Sequence, residues 1–214
     1  KHPYNANRMI ESVQKSLAYY EANFSPYQHR QLRILEFPQY QGFAQSFANT
    51  VPFSESIGFV AKVDDANPED LNMPYYVTAH EVAHQWWAHQ VIGANVQGAT
   101  MLSESLAQYS ALMVMEKEYG KDTVPIDSFA VANKMRKFLK YELDRYLSER
   151  GGEILEEQPI YKNENQGYIH YRKGSLAFYR LREDMGEEAL NRALAKFISA
   201  KAFQTAPYTT SVEL

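Results

Sequence analysis

A helical stretch carrying two histidines is the feature that most constrains how this chain folds. Residues 74–87 read PYYVTAHEVAHQWW, and His80 and His84 stand four positions apart within them. At 3.6 residues per turn, side chains four positions apart lie on one face of a helix, so both imidazoles can reach a single ion. Pro74 suits a first helical turn, and the apolar neighbours supply cover for the helix. The sequence therefore predicts a helix that presents two histidines to one metal ion.

Two carboxylates complete the chemistry expected at this helix. A pair of neutral imidazoles with one carboxylate is a typical catalytic zinc set, in which water takes the fourth position. Glu81 lies beside the first histidine, where it can take a proton from that water as the water attacks a carbonyl group. Ser103 is a natural N-cap, which puts Glu104 in the first turn of a second helix, where the dipole favours the ionised form that a zinc ligand needs. These residues predict one zinc ion per chain and a peptidase reaction.

Composition limits the class of protein. The chain has 214 residues, of which 45% are hydrophobic and 22% charged, as is ordinary for a globular protein. A net charge of −4 gives no basic surface for nucleic acid, and no apolar run reaches membrane-spanning length. The absence of cysteine excludes thiolate ligands and leaves the compartment open. Because the chain begins at Lys1 without a methionine, we expect a soluble piece of a longer protein.

The hydrophobic pattern predicts an α+β fold that is mostly helical, with a small strand-rich part near the amino end. Alternation predicts a strand over residues 31–37, and residues 46–53 and 57–63 are two further strand candidates. Helical spacing predicts helices over residues 5–24, 74–90, 103–119, 125–150, 168–185 and 187–202. We expect a single catalytic domain over residues 1–214, with a helix and a small sheet in residues 1–73 and a helical lobe in residues 74–214.

Three segments occur in an order that matches a known family. They are HEVAHQWW at residues 80–87, LSE at residues 102–104 and YRKG at residues 171–174. Together they resemble the catalytic domain of the aminopeptidase N-like zinc metallopeptidases, which are gluzincins with a thermolysin-like fold. The first segment is highly specific and the third moderately so. The resemblance covers most of the chain from about Ser54 to Leu181.

The resemblance implies a role for each matched residue. It implies zinc on His80, His84 and Glu104, with Glu81 as general base. Tyr171 would donate a hydrogen bond to the oxyanion of the tetrahedral intermediate. Without the family, Tyr171 reads as a packed aromatic side chain in a stretch rich in tyrosine. With it, Tyr171 is the preferred donor, and the nearby Tyr at position 168 is the reserve.

The spacing of the third ligand departs from the family pattern. Nineteen residues separate His84 from Glu104, one more than the family usually has, so that the usual position falls on Ser103, a poor zinc ligand. Gly93 and Gly98 indicate a loop in this interval, and loops absorb insertions at little cost. We therefore expect a normal site reached by a longer loop, with a broken site as the alternative.

The residues that select the substrate's amino end also depart from the family. Its aminopeptidases carry a Gly-Ala-Met-Glu-Asn element before the zinc helix, and the Glu of that element binds the substrate's free amine. The comparable stretch here is PFSESIG at residues 52–58, in which Glu55 is the candidate for that contact. An exposed strand carboxylate with no such role is an equally simple interpretation. We expect zinc-dependent hydrolysis of peptides from the amino end.

Two alternative functions remain. Residues 87–120 also resemble peptidase domains appended to bacterial membrane transport proteins, which implies a membrane-anchored parent. A catalytically silent peptide-binding domain is the alternative in that setting, although the intact Glu81 argues against it because mere binding needs no general base. A structural domain with an incidental motif is opposed by Glu104 and Tyr171. The expected partner is a peptide substrate, with neither nucleic acid nor a membrane in contact with this part of the protein.

Overall fold

The computed structural model describes residues 2–67, 69–120 and 129–214. The described part is mostly helical, and its α-helices are α1 (Ala6–Asn23), α2 (Met73–Ala83), α3 (Leu106–Tyr119), α4 (Phe129–Gly152), α5 (Gly174–Met185) and α6 (Glu187–Lys201). Its two strands are β1 (Arg33–Phe37) and β2 (Thr50–Ser54). The predicted architecture of many helices and few strands is confirmed. Within these residues, no helix combines the length and apolar character needed to cross a bilayer.

The strands form a small parallel sheet in the amino-terminal part. β1 pairs with β2 in a register that runs from Arg33 opposite Thr50 to Phe37 opposite Ser54. On the other side of β2, residues 43–47 run antiparallel to it, with bridges between Ala44 and Phe53 and between Phe47 and Thr50. This returning segment leads into β2 through a two-residue turn. It matters because it borders the candidate site.

The prediction of a third strand over residues 57–63 is wrong. Residues 55–60 form a turn, in which the Gly58 amide donates to the Ser54 carbonyl and the Val60 amide donates to the Glu55 carbonyl, and residues 61–63 have no regular secondary structure. The Asn5 side chain donates to the carbonyl groups of Gly58 and Ala61, both at 2.7 Å. Because these backbone groups are satisfied locally and by Asn5, the segment does not extend the sheet.

Helix α2 lies inside the main core, as its apolar neighbours predict. Tyr20 on α1 donates its hydroxyl hydrogen bond to the Ala79 carbonyl at 3.0 Å, and Ser12 donates to the Tyr75 carbonyl at 2.7 Å. These bonds hold α1 along α2 in addition to apolar contact. The same core continues through α3, α4 and α6, and it includes both tryptophans that follow the second histidine. The zinc-motif helix is therefore fixed by packing on several sides.

The ends of two helices differ from the sequence prediction. α2 ends at Ala83 rather than near residue 90, because Trp86 already bonds back to the Ala83 carbonyl and Ala88 has a φ of 145°. The second helix begins before Ser103, which lies inside a π-helical turn, Met101–Ser105, and is not an N-cap. The predicted start of the long third helix, residues 125–128, lies outside the described residues. The last two predicted helices match α5 and α6.

Candidate active site

Three side chains from two helices converge on one point. His80 and His84 project from the end of α2, and their Nε2 atoms are 3.0 Å apart. The Glu104 Oε2 atom lies 3.2 Å from the first and 3.3 Å from the second. Ligands of tetrahedral zinc are separated by roughly 3.4 Å when the bonds are about 2.1 Å long. The longer spacing in the sequence thus still brings Glu104 to the histidines.

The chemistry of these three donors also fits a cation. Glu104 Oε2 is buried, and no hydrogen-bond partner for it occurs among the described residues. A buried carboxylate oxygen without such a partner is costly unless a charge lies beside it. Two imidazoles and one carboxylate are nitrogen and oxygen donors of the kind that zinc prefers. The residues therefore fit one zinc ion.

The early end of α2 orients the second histidine. Because the chain turns after Ala83, the carbonyl oxygen of Trp87 lies 2.9 Å from His84 Nδ1. A hydrogen bond donated from Nδ1 leaves Nε2 with its lone pair free, and Nε2 is the atom that faces the other donors. The Trp87 indole in turn donates to the Ser110 hydroxyl at 3.0 Å, which holds this turn against α3.

When zinc is absent, the charges of the neighbouring donors shift the pKa values of Glu104 and His84. Burial by itself would raise the pKa of Glu104, but the adjacent His80 and His84 hold the pKa of this carboxyl well below its usual range. Burial by itself would lower the pKa of His84, but contact with Glu104 raises that pKa to about 9. The zinc-free site is therefore an imidazolium beside a carboxylate at neutral pH.

Zinc uptake is expected to release at least about one proton per ion at about pH 7.5, because protonated His84 must lose its proton to become a ligand. The pKa of His84 is about 9 in the zinc-free protein, so the apparent affinity should rise with pH up to that value. Calorimetry in two buffers of different ionisation enthalpy measures the released protons. Uptake without proton release would contradict this charge state.

The general-base candidate lies beside the ligands in an open cavity. Glu81 is 6% exposed, and its Oε2 atom has no hydrogen-bond partner within the described part of the chain. Burial raises the pKa of Glu81. The cavity has a volume of about 390 Å³ and is lined by the three donors together with residues 43–46, Glu81, His89, Ser103 and Tyr171. A carboxylate with a raised pKa and a free oxygen in such a cavity is suited to proton transfer.

The structure brings Tyr171, and not Tyr168, to this cavity. Tyr171 lies in a second π-helical turn, Ile169–Lys173, which leads into α5, and its ring centroid is 6.0 Å from that of His80. Burial, and after it the charge of Glu104, raises the pKa of Tyr171 above its usual value, so the hydroxyl keeps its proton. Tyr168 points elsewhere, with its ring 5.9 Å from that of Tyr146.

The two π-helical turns contact each other directly. Ser105, which follows Glu104, donates its hydroxyl hydrogen bond to the His170 carbonyl at 2.6 Å. At Gly174, a Cβ atom would lie 2.2 Å from Ser105 Oγ and 2.6 Å from Ser105 Cβ. Only a residue without a side chain permits this approach. This contact gives a physical reason for the glycine that ends the YRKG segment.

Gly174→Ala is expected to destabilise the protein by about 1–3 kcal/mol, because the added methyl group must push the two turns apart. Thermal unfolding of the zinc-free protein measures the effect on the fold. Gly167→Ala is the matched control, since a Cβ atom at Gly167 meets nothing within 4 Å. Equal unfolding temperatures for the two variants would contradict the close contact.

Glu55 does not lie at the cavity. Its Oε1 atom accepts a hydrogen bond from the Gln39 amide at 3.0 Å, and its Oε2 atom lies 3.3 Å from Nδ1 of His2. The predicted contact with a substrate amine is therefore not supported. The neighbour of β2 that does line the cavity is the segment 43–46, which the sequence analysis missed. Its signal was the two-residue turn that ends at Asn49, where φ is 53°.

Comparisons with known proteins find relatives of this chain among peptidases. The model of the peptidase family M1 domain matches residues 8–212. The chain is 26% identical over 198 residues to probable aminopeptidase 1 of Sulfurisphaera tokodaii, and the match covers 92% of this chain and 24% of that protein. The chain thus spans about a quarter of the length of this curated relative.

Solved structures show the same fold at low identity. An M1 zinc metallopeptidase from Deinococcus radiodurans superposes with a TM-score of 0.58 at 20% identity, over 92% of this chain and 36% of that one. A mutant of the Deinococcus radiodurans enzyme bound to a Tyr-Ser-Ala substrate gives a TM-score of 0.60 at 18% identity, over 94% and 37%. The chain therefore belongs to peptidase family M1, and its relatives include zinc metallopeptidases and a probable aminopeptidase.

Proposed function

We propose that this domain hydrolyses peptide bonds with zinc held by His80, His84 and Glu104. The observation that carries the proposal is one cavity that contains three converging donor atoms and a buried carboxylate with a free oxygen. When bound, zinc acts as a Lewis acid that polarises a carbonyl group and acidifies water.

The chain's own residues supply the proton transfers and the orientation. Glu81 takes a proton from the attacking water and passes it to the departing amine, a task that its raised pKa favours. Tyr171 keeps its proton and donates a hydrogen bond to the oxyanion of the tetrahedral intermediate. The carbonyl of Trp87 holds His84 in the tautomer that ligates.

We further propose cleavage from the amino end by a thermolysin-like catalytic domain that spans residues 1–214. Residues 1–73 form its helix and small sheet, and residues 74–214 form its helical lobe. Support comes from the relative named probable aminopeptidase 1 and from the related structure with a Tyr-Ser-Ala substrate. The chain spans about a quarter of the length of that relative. The same activity for a longer parent protein is therefore also a proposal.

One experiment tests both parts of the proposal, which are peptide hydrolysis and cleavage from the amino end. The zinc-loaded protein is incubated with one short peptide in its free and N-acetylated forms, and the products are followed by mass spectrometry. Cleavage of the free form only, with loss of the first residue, is the expected result. Equal cleavage of both forms would contradict amino-end specificity and leave peptide hydrolysis standing. No cleavage of either form would contradict hydrolysis.

The catalytically silent peptide-binding domain is the less favoured function. A site that only binds peptide has no use for a buried carboxylate with a free oxygen at Glu81, next to three potential metal ligands. Saturable binding of the same free peptide without any product would favour this alternative.

A further inference from the structure

A buried carboxylate on α4 joins the elements that form the site. Glu142 is 0% exposed, and its Oε1 atom accepts hydrogen bonds from Tyr76 at 3.0 Å and from Gln108 at 2.9 Å. Both carboxylate oxygens also accept from Arg172 Nη1, at 3.2 and 3.1 Å. Gln108 donates to the Tyr76 hydroxyl as well, at 3.0 Å, so the polar groups form a closed network.

Each partner of Glu142 stands next to a residue of the site. Tyr76 precedes His80 by one helical turn on α2, and Gln108 follows Glu104 by one helical turn. Arg172 follows Tyr171 directly in the second π-helical turn. One carboxylate thus contacts the three segments that carry a histidine ligand, the glutamate ligand and the candidate oxyanion donor.

The side chain of Arg172 has little freedom in this network. Its guanidinium group lies 5.4 Å from the ring centroid of Tyr141 and 5.9 Å from that of Tyr171. Burial opposes the charge of Arg172, but Glu142 raises the pKa of the guanidinium group, so Arg172 keeps its charge. A buried ion pair of this kind adds little stability compared with apolar packing. Its hydrogen bonds nevertheless form only when both side chains lie in a narrow range of positions.

We propose that Glu142 is a positioning residue that fixes the π-helical turn of Tyr171 relative to the two metal-binding segments. Helix α4 itself supplies none of the described residues that line the cavity, so Glu142 acts only through its partners. The inference rests on the proposed peptidase function for its kinetic consequence. Its structural part, the alignment of ligands, is testable without any activity.

The test compares Glu142→Gln with wild type in the full chain. With zinc saturating, we expect kcat for the free peptide to fall about 10-fold or more and KM to change less than about 3-fold. Chelator competition should show zinc binding about 10-fold weaker. In a Tyr171→Phe background, the same change should lower kcat less than about 3-fold further, because the two residues act as a unit.

Glu116 offers a control that is matched to Glu142 in its partners, although its side chain is 21% exposed. It accepts hydrogen bonds from Tyr179 and Arg182, as Glu142 does from a tyrosine and an arginine, but it lies away from the cavity. Glu116→Gln should lower the unfolding temperature while kcat and zinc affinity stay within about 2-fold of wild type. If Glu142→Gln behaves in the same way, or adds fully to Tyr171→Phe, the proposal is overturned.

A second variant decides the matter if Glu142→Gln does not fold. Arg172→Lys keeps the charge but ends one bond short of Nη1, the nitrogen that donates to both carboxylate oxygens, and it loses the planar group that lies over Tyr141 and Tyr171. We expect the same fall in kcat and zinc affinity. Wild-type values for this variant would overturn the proposal. If wild type itself cleaves no peptide, the peptidase proposal fails, while the zinc affinities of the variants still test the role of Glu142.

Discussion

Glu81→Gln is expected to lower kcat for peptide hydrolysis by about 10²–10⁴-fold, the usual contribution of a general acid–base residue. Glutamine has nearly the same shape but cannot take a proton from the attacking water. The carboxylate it replaces is buried, has a free oxygen and has a pKa raised by burial, so little else in the cavity replaces its function. Zinc content should stay close to that of wild type, because Glu81 is not one of the three converging donors.

The matched control for this substitution is Glu55→Gln. It makes the same acid-to-amide change in a carboxylate that contacts Gln39 and His2 outside the cavity. Its kcat should stay within about 2-fold of wild type, as for a surface change away from the site. A Glu81→Gln protein that retains more than about a tenth of wild-type kcat would remove Glu81 from the general-base role.

Glu104→Ala is expected to weaken zinc binding by at least about 100-fold, more than is typical for loss of a supporting contact around a metal site. The substitution removes the oxygen that lies 3.2 and 3.3 Å from the two histidine Nε2 atoms. Elemental analysis after the same zinc exposure and dialysis measures the effect. Wild type should retain about one zinc per chain and the variant close to none.

Ser103→Ala is the control that distinguishes the two possible ligand positions. Ser103 stands where the usual family spacing would put the ligand, and it also lines the cavity. The variant should retain zinc as wild type does, because its hydroxyl is not among the converging donors. Loss of zinc from Ser103→Ala with retention in Glu104→Ala would reverse the assignment, and a folded wild type without zinc would indicate a broken site.

Local chemistry explains why much of the site is predictable. The spacing of His80 and His84 determines that both lie on one helix face, since the helical repeat depends only on the backbone. Residue type and the order of the matched segments point to Glu104 and Tyr171, and the structure brings both to the histidines. The mostly helical composition follows from the same periodic pattern of apolar residues.

Other parts of the site could not be inferred from local pattern. Ser103 has the residue type of an N-cap, but it lies inside a π-helical turn that begins at Met101 and that contacts the turn of Tyr171. Glu55 is a carboxylate near β2, as contact with a substrate amine would require. Its oxygens contact Gln39 and His2 instead, which are distant from it in sequence. The segment that lines the cavity instead depends on antiparallel pairing with β2. Each outcome is set by a long-range contact.

The sequence by itself therefore determined the donor types, their helix face and the class of chemistry, because these depend on side-chain identity and on the helical repeat. Tertiary structure decided where α2 ends, which tyrosine reaches the cavity and which carboxylates stay away from it. It also decided that Glu142, far from the motif in sequence, contacts the neighbours of the ligands. The physical reason is that packing and buried hydrogen bonds join residues that are far apart in the sequence. No repeating pattern of residues indicates which of them will meet.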